Sequence, residues 1–226
     1  MMLRVSVTSL LNYARCPYSF YLYKTTDIKE IPRTKETATG KAFHRIVKSV
    51  FSGKSFEEAL GEVLVVDDNL VDTSEVRLFY SLYKDEMEKL REEGIYAIEK
   101  YFEIEYDGVV INGYIDLITK KGKLVEIKTT KQNIYPKLSH VFQVSVYKLL
   151  GDANSYEIHY ISPKGVFKIP VKPYPVEFIL DVIKQIQNLI ETNEYPALGL
   201  LNGFCRFCLF KNMCEFYLSN TPQNLK

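Results

Sequence analysis

Residues 113–130 have the sequence GYIDLITKKGKLVEIKTT and predict two short strands joined by a tight turn. Apolar and polar residues alternate on both sides of the turn, which is the period-two pattern of a half-buried strand. The residues predicted to face the core are Ile115, Leu117, Val125 and Ile127. The opposite face carries Asp116, Glu126 and Lys128. Two acids and a lysine on one face of a hairpin whose other face is core indicate a functional site.

The length of the turn decides whether the two acids meet. A three-residue loop at 120–122, with Gly122 at a positive φ angle, would place Asp116 opposite Glu126. A two-residue loop would place Asp116 opposite Ile127, on the wrong face. We predict the three-residue loop. Side chains that lie directly opposite have Cβ atoms about 5 Å apart, so the two carboxylates repel each other unless a divalent cation removes the repulsion.

Size and composition predict one ordinary domain, or one domain with an appendage. The chain has 226 residues, 46% of them hydrophobic, which is enough for a sizeable core. The net charge of +1 does not by itself indicate a nucleic-acid partner. Locally, six lysines and only one acid, Glu126, lie between residues 120 and 137. Such a patch suits an anionic substrate, although lysines also gather on any exposed turn.

The sequence gives no sign of a membrane partner or of export. No apolar run approaches the roughly 20 residues that a membrane span requires. The first residues lack the apolar region of a signal peptide, because Arg4, Asn12 and Arg15 interrupt it. We therefore expect a cytoplasmic protein.

Hydrophobic periodicity along the chain predicts helices that alternate with short runs of strands. Helices are predicted at 6–23 with a break near Pro17, and at 39–51, 55–61, 75–93, 137–150 and 174–192. Strands are predicted at 95–106, from 109 into the hairpin, and at 155–162 and 165–171. Residues 25–38 are predicted to be a loop and the acidic stretch 62–74 to be irregular. This order predicts an α/β or α+β fold with a central mixed sheet.

Four cysteines predict a metal centre. Cys205, Cys208 and Cys214 form a C-x2-C-x5-C motif, and Cys16 precedes them by nearly two hundred residues. Without an export signal, a metal centre is favoured over disulfides. Four thiolates suit tetrahedral zinc or an iron–sulfur cluster, and the spacing alone does not separate the two. Three clustered cysteines and one distant one favour iron–sulfur. In either case, the site would tie the two ends of the chain together.

Together these motifs resemble the PD-(D/E)XK nuclease superfamily, whose signature matches the hairpin with Asp116, Glu126 and Lys128. Two further pairs, each spaced by one helical turn, resemble its RecB-like branch: Gly40 with His44, and Gln143 with Tyr147. Taken alone, a histidine beside an apolar stripe is usually a core or surface residue.

The sequence Cys16-Pro17 and the terminal cysteine motif resemble the iron–sulfur subgroup of that branch. This subgroup includes the nuclease domain of the AddB helicase subunit and the CRISPR-associated RecB-like exonucleases, the fourth of the numbered Cas protein families. The chain is closer in size to the second group. The resemblance runs from about Ser6 to Tyr217.

This resemblance implies an α/β fold of the restriction-endonuclease type, with a central mixed sheet flanked by helices and a cysteine-metal cap that joins the N- and C-terminal segments. It also implies a single nuclease domain over 1–226, with the core at 39–195, the cap formed by 6–24 and 196–218, and a flexible tail at 219–226.

The resemblance further implies metal-dependent hydrolysis of DNA. Mn²⁺ or Mg²⁺ would be held by His44, Asp116, Glu126 and the backbone carbonyl of Ile127. Lys128 would position the attacking water and offset charge on the phosphate. Gln143 and Tyr147 would hold the substrate strand, with Tyr147 stacking on a base.

The four cysteines, Cys16, Cys205, Cys208 and Cys214, would carry a 4Fe–4S cluster with a structural role. The implied substrate is DNA, with single-stranded ends, and the implied process is CRISPR spacer acquisition, with the CRISPR integrase proteins as partners. Two alternatives remain: a nuclease of DNA repair or of a virus with the same chemistry, and a non-catalytic cysteine-metal module that binds nucleic acid.

Overall fold

The structure is a computed structural model that describes residues 3–26, 34–67, 70–131, 134–150 and 153–220. The end of the predicted tail, residues 221–226, and half of the predicted loop at 25–38, residues 27–33, lie outside these ranges. None of the helices in the described ranges is long and apolar enough to cross a membrane.

Helices and strands alternate largely as the sequence predicts. The helices are α1 (Val7–Arg15), α2 (Pro17–Thr25), α3 (Lys35–Phe51), α4 (Phe56–Asp67), α5 (Thr73–Glu93), α6 (Leu138–Tyr147), α7 (Val176–Thr192), α8 (Gly199–Asn202) and α9 (Glu215–Asn220). The strands are β1 (Leu3–Ser6), β2 (Ile95–Tyr106), β3 (Val109–Thr119), β4 (Lys123–Thr129), β5 (Ser155–Ser162) and β6 (Gly165–Pro170). Short 3₁₀ turns occupy Lys148–Leu150 and Phe204–Phe207.

The strands form one mixed sheet in the order β1-β3-β4-β5-β6, with β2 paired to β3. Strand β4 pairs with β5 in parallel, whereas β3 with β4 and β5 with β6 are antiparallel. The parallel pair requires a crossover, which α6 supplies. The prediction of an α/β fold with a central mixed sheet flanked by helices is confirmed.

The chain divides into two compact units. The terminal unit contains Met1–Ile31, Glu105–Ile111 and Glu177–Lys226, and therefore gathers the two ends of the chain. The central unit contains Pro32–Ile104 and Asn112–Val176, and includes the hairpin.

The core of the central unit lies between the sheet and helices α3, α4 and α5. One face of the sheet supplies Leu117, Val125, Ile127 and Ile161, all at most 1% exposed. Helices α3 and α5 supply rings in edge-on contact, with Phe43 against Phe79 and Tyr83 at centroid distances of 6.0 and 6.1 Å. This apolar layer fixes the orientation of the hairpin, because successive side chains of a strand point to opposite faces.

Helices α3 and α4 differ from the prediction. Helix α3 begins four residues earlier than predicted because Thr34 and Thr37 form a reciprocal capping box. Helix α4 continues to Asp67, so the prediction of an irregular stretch from 62 is wrong. Its second half is helical because Val63, one turn after Ala59 and Leu60, packs into the same core.

The hairpin has the predicted register. Leu117 lies opposite Val125 and Ile118 opposite Leu124, and Asp116 and Glu126 are the next residues along the two strands. The three-residue loop is confirmed, and Gly122 has a φ of +76°.

The prediction that the hairpin is half-buried is wrong. Asp116 is 8% exposed and Glu126 only 1%. The polar face is covered on the side of α6, whose Tyr147 is 2% exposed. The two acids are therefore buried charges, which are costly unless they are paired or bind a metal.

Replacing Gly122 by alanine is expected to lower the free energy of unfolding by about 2 kcal/mol. A Cβ there would lie 2.9 Å from the Asn154 side-chain nitrogen, which donates to the Lys121 carbonyl at 2.7 Å. Gly108 is a matched control, because its φ is +77° and nothing lies within 4 Å of its Cβ position. Urea denaturation should show a loss about 1 kcal/mol larger for Gly122→Ala than for Gly108→Ala. Equal losses would contradict the role of the Asn154 contact.

Candidate active site and cysteine centre

The hairpin acids sit where the strands β3 and β4 separate. Beyond the Leu117–Val125 pair, the Ile127 backbone N–H donates to Asp116 Oδ2 at 2.7 Å. The carboxylate thus replaces a strand partner and is held in a fixed orientation. This contact involves the N–H of Ile127 and leaves the predicted role of its carbonyl as a prediction.

A histidine from α3 and a second acid from β2 complete a potential metal site with Asp116. His44 Nδ1 lies 3.4 Å from Asp116 Oδ1 and 3.6 Å from Glu99 Oε1. The three ligand atoms all lie within 4.8 Å of one another. An imidazole and two carboxylates are donors that suit Mn²⁺ or Mg²⁺.

The sequence analysis missed Glu99. It lies within β2 at a φ of +44°, a left-handed conformation that is uncommon for a residue other than glycine. Such local distortions in strands re-aim a side chain. The alternation pattern of β2 assumes regular strand geometry and therefore could not reveal which way Glu99 points.

Beside this site, the buried Glu126 carboxylate pairs with Lys128, whose side chain is partly exposed. The Lys128 amine contacts Glu126 Oε1. The other carboxylate oxygen, Oε2, is buried and has no hydrogen-bond partner among the described residues. A buried oxygen without a partner is costly, and a bound cation would satisfy it.

The charges in this cluster shift one another's pKa values. Burial, together with the negative charge of Asp116, raises the pKa of Glu126 to about 7. Burial alone would lower the pKa of His44, but Asp116 and hydrogen bonds to Asp116 and Glu99 raise it to about 10. The pKa of Asp116 is lowered because His44 and Lys128 outweigh its burial. The metal-free site therefore holds a proton on His44 where a cation would otherwise balance the acids.

Gln143 and Tyr147 lie together on α6. Gln143 Nε2 donates to the Tyr147 hydroxyl at 2.7 Å. The Tyr147 ring packs edge-on against Phe102 at 5.7 Å and is 2% exposed. With so little of the ring exposed, stacking on a base would require Tyr147 to become uncovered, and its role in holding the substrate stays a prediction. Burial and the charges of Glu126 and Asp116 raise its pKa, which places the hydroxyl within their electrostatic reach.

Tyr160 and His140 are two more polar residues that sequence reasoning missed. Tyr160 lies beside Lys128 in the parallel β4–β5 pairing. Its hydroxyl lies 2.7 Å from His140 Nδ1 and accepts from the Lys137 backbone N–H at 3.3 Å. A possible signal was the spacing of His140, one turn before Gln143 on the same face of α6.

The lysine-rich segment is less basic than its sequence suggests. Lys123 pairs with Glu93 at 2.8 Å and Lys131 with Glu75 at 3.0 Å. With Lys128 held by Glu126, three of the six lysines have acidic partners. The segment therefore has less free positive charge than the predicted basic patch.

The four cysteines converge in the terminal unit. Cys16 separates α1 from α2 in an extended conformation, with Pro17 as the first residue of α2. Together, Cys16, Cys205, Cys208 and Cys214 line one small cavity as free thiols. Burial and the nearby charges of the other three cysteines raise the pKa of the Cys205 thiol.

Gly199 gives the sulfurs room. A Cβ at this position would lie 3.2 Å from Cys205 Sγ and 3.5 Å from Cys16 Sγ. Among the described residues, no three cysteine sulfurs lie within 4.8 Å of one another. Tetrahedral zinc, with Zn–S bonds of about 2.3 Å, would bring four sulfurs to about 3.8 Å. The thiols are therefore spread more widely than a zinc site requires.

Comparison with known proteins gives one family, one curated relative and a set of solved structures. The family model of the PD-(D/E)XK nuclease superfamily matches residues 4–215. The Gene 69 protein of Mycobacterium phage D29 is 28% identical over 138 residues, which are 55% of this chain and 50% of the phage protein. The match thus spans about half the length of that curated relative.

Two solved structures share the fold. The crystal structure of SSO0001 has a TM-score of 0.54 and is 20% identical in sequence. The match covers 95% of this chain and 86% of the SSO0001 chain. The crystal structure of a candidate exonuclease from Eubacterium rectale has a TM-score of 0.61 and is 10% identical in sequence. The match covers 96% of this chain and 88% of the Eubacterium rectale chain. At these identities the likeness concerns the fold.

Proposed function

The chain belongs to the PD-(D/E)XK nuclease superfamily, and from this premise we propose that it is a divalent-metal-dependent DNA exonuclease acting on single-stranded ends. The observation that carries the proposal is the buried Glu126 carboxylate. It lies close enough to Asp116 for the two charges to interact, has one oxygen without a partner among the described residues, and has its other oxygen on Lys128. A protein would not keep such a costly arrangement in a core unless it served a function.

The residues fit a divalent cation. His44, Glu99 and Asp116 offer three donor atoms within 4.8 Å of one another. Glu126 lies outside this group, but its free oxygen is a further donor that a cation would satisfy. We assign these four residues, with the Ile127 carbonyl, as the ligands of Mn²⁺ or Mg²⁺. When bound, such a cation would polarise the phosphate and lower the pKa of a bound water.

The protein's own residues would do the remaining work. Burial alone would lower the pKa of Lys128, but Glu126 and Asp116 raise it, so its amine stays cationic. It can therefore offset the charge that builds on the phosphate during hydrolysis. Gln143 and Tyr147 would position the substrate. The hydrogen bond from the Gln143 amide to the Tyr147 hydroxyl would also hold that hydroxyl beside Glu126.

A direct test offers labelled linear and circular single-stranded DNA to the protein with Mn²⁺, with Mg²⁺ or with EDTA. We expect the linear strand to be shortened from an end with either metal, and the circle to stay intact. EDTA should stop the reaction. Cleavage of the circle at a similar rate would overturn the exonuclease assignment. Tight binding without cleavage would instead favour a non-catalytic binding module.

Replacing Tyr147 by phenylalanine is expected to lower kcat by about tenfold with little change in KM, because a hydroxyl beside Glu126 is lost while the ring is kept. Steady-state kinetics on linear single-stranded DNA would measure the effect. Tyr80→Phe, in a tyrosine that stacks on Phe56 at 4.2 Å, is the control. A raised KM with unchanged kcat would assign Tyr147 to substrate binding alone.

For the cysteine centre, we propose a 4Fe–4S cluster as a structural staple. Two observations support it: the thiols line one cavity as free cysteines, and their sulfurs are spread more widely than zinc requires. Protein purified without oxygen should be brown and contain four irons per chain. A colourless protein with one zinc per chain would overturn the cluster but not the nuclease.

The biological role we favour is CRISPR spacer acquisition together with the integrase proteins, because the cysteine motif resembles that family. The match to a phage protein favours a second candidate, a viral or repair nuclease with the same chemistry. The genes beside this one would decide between them. Neighbouring integrase genes would support the first role, and a phage replication cluster would support the second.

A further inference from the structure

The terminal unit contains a second, open cavity of about 380 Å³ that the proposed chemistry does not use. Its wall has four aromatic rings, one cation and no acid. The residues that matter here are Asn12, Arg15, Tyr23, Phe204, Phe207 and Phe210. Aromatic faces combined with an arginine are the means by which proteins bind single-stranded nucleic acid.

Arg15 is arranged to bind a ligand. Its guanidinium lies over the Phe204 ring, 5.7 Å from the centroid. Its backbone carbonyl accepts from Asn202 Nδ2 at 2.7 Å, which fixes this end of α1. Among the described residues, no carboxylate pairs with Arg15. Partial burial lowers its pKa, yet a guanidinium stays charged in proteins, so an anionic ligand would stabilise it.

Phe207 and Asn12 provide the contacts that a nucleobase needs. Phe207 is 83% exposed, so its ring is available for stacking. The Asn12 side-chain amide has no hydrogen-bond partner among the described residues, while the backbone carbonyl of Asn12 accepts from the Cys16 backbone N–H at 2.9 Å. An exposed ring beside an unused amide suits a base, which has an aromatic face and a polar edge.

The charge of the chain around this cavity also favours an anionic ligand. Residues 3–26 contain three bases, Arg4, Arg15 and Lys24, and no acid. An anionic polymer would therefore meet no carboxylate from this segment. A neutral apolar peptide could use the rings but would leave Arg15 without a partner.

We propose that this cavity binds one or two nucleotides of single-stranded DNA, with bases stacked on Phe207 and the Arg15–Phe204 pair and the backbone phosphate at Arg15. The inference rests on the proposed nuclease function and adds a substrate subsite to it. The proposed occupant of the cavity is a nucleic-acid strand.

The test is fluorescence anisotropy of the iron-loaded full chain with labelled oligothymidine, and with an abasic strand of equal length, in EDTA. The parent protein should bind oligothymidine about tenfold more tightly than the abasic strand. Phe207→Ala and Arg15→Gln should each weaken oligothymidine binding about tenfold and reduce the preference for bases. Arg15→Lys should bind oligothymidine as weakly as Arg15→Gln, because the lysine ammonium keeps the positive charge but lacks the planar guanidinium that stacks and forms paired hydrogen bonds.

Leu201→Ala is the matched control. Leu201 is a large apolar residue of the same unit, 86% exposed, and does not line the cavity. The Leu201→Ala variant should bind oligothymidine as tightly as the parent protein does. The visible spectrum of each variant verifies that the cysteine centre is intact.

Two outcomes separate the claims. If the parent cleaves DNA but Phe207→Ala and Arg15→Gln bind like the parent, the subsite is wrong and the nuclease assignment stands. If the parent neither binds nor cleaves either strand, both the subsite and the proposed function fail.

Discussion

Replacing Glu126 by glutamine is expected to slow DNA cleavage by about 10³-fold and to leave the metal-free protein at least as stable as the parent. Glutamine keeps the shape of the side chain and an acceptor for Lys128, but it cannot carry the negative charge that a cation requires. The loss of activity therefore comes from a missing metal ligand in a chain that still folds. Initial rates with saturating Mn²⁺ would measure it.

The stability half of this prediction follows from the pKa of Glu126, which burial and Asp116 raise to about 7. An acid whose pKa is higher in the folded chain than in the unfolded chain binds more protons when folded. Its contribution to stability is present below the unfolded pKa and is lost as pH rises through about 7. Glutamine cannot ionise, so it avoids this loss. At pH values above 7 and in EDTA, the melting temperature of Glu126→Gln should be equal to or higher than that of the parent.

A matched control is Glu88→Gln, which removes an exposed carboxylate from α5. It should change neither the cleavage rate nor the melting temperature. If Glu126→Gln cleaves as fast as the parent, Glu126 is not a metal ligand. If it is inactive but melts well below the parent, the lost activity reflects damage to the fold.

Lys128 requires a different design. Lys128→Met alone would leave the Glu126 carboxylate buried without its partner, which costs about 3–5 kcal/mol. The double variant Glu126→Gln with Lys128→Met removes both charges and should recover most of that stability while staying inactive. Comparison of the melting temperatures of the two variants measures how much of the stability lost in Lys128→Met reflects the role of the amine as a counter-ion to Glu126.

The hairpin could be predicted from sequence because local rules determine it. Gly122 sets the loop, the loop sets the register, and the register places Asp116 and Glu126 directly after the Leu117–Val125 pair. Burial of the same residues could not be predicted, because it depends on α6 and Tyr147 from further along the chain. Alternation in a strand shows that its two faces differ, but not whether another layer covers the polar one.

The metal site was predictable only in part, because it too depends on contacts between distant parts of the chain. His44 and Asp116 carry motif spacings, and the structure brings them to 3.4 Å. Glu99 has no such spacing, since its direction results from a positive φ within β2. The second half of α4 was missed because acidic composition was given more weight than the helical spacing of Val63. In each case a contact across the fold outweighed the local signal.

The second large effect is expected at the cysteine centre. Cys16→Ala should abolish iron binding and lower the melting temperature by about 10 °C or more. The terminal unit is assembled from segments at both ends of the chain, and Cys16 and Cys205 are 205 − 16 = 189 positions apart. A cluster bound only by the folded chain adds its binding energy to folding.

Ser19→Ala provides the control for this variant. Ser19 is buried, and its hydroxyl lies 3.8 Å from Cys208 Sγ, but it is not a proposed ligand. It should keep four irons and melt close to the parent. Removing iron from the parent should reproduce the melting temperature of Cys16→Ala, and the same treatment of Cys16→Ala should change nothing further. If Cys16→Ala retains the full iron content, or if iron removal leaves the melting temperature of the parent unchanged, the cysteines do not act as a structural staple.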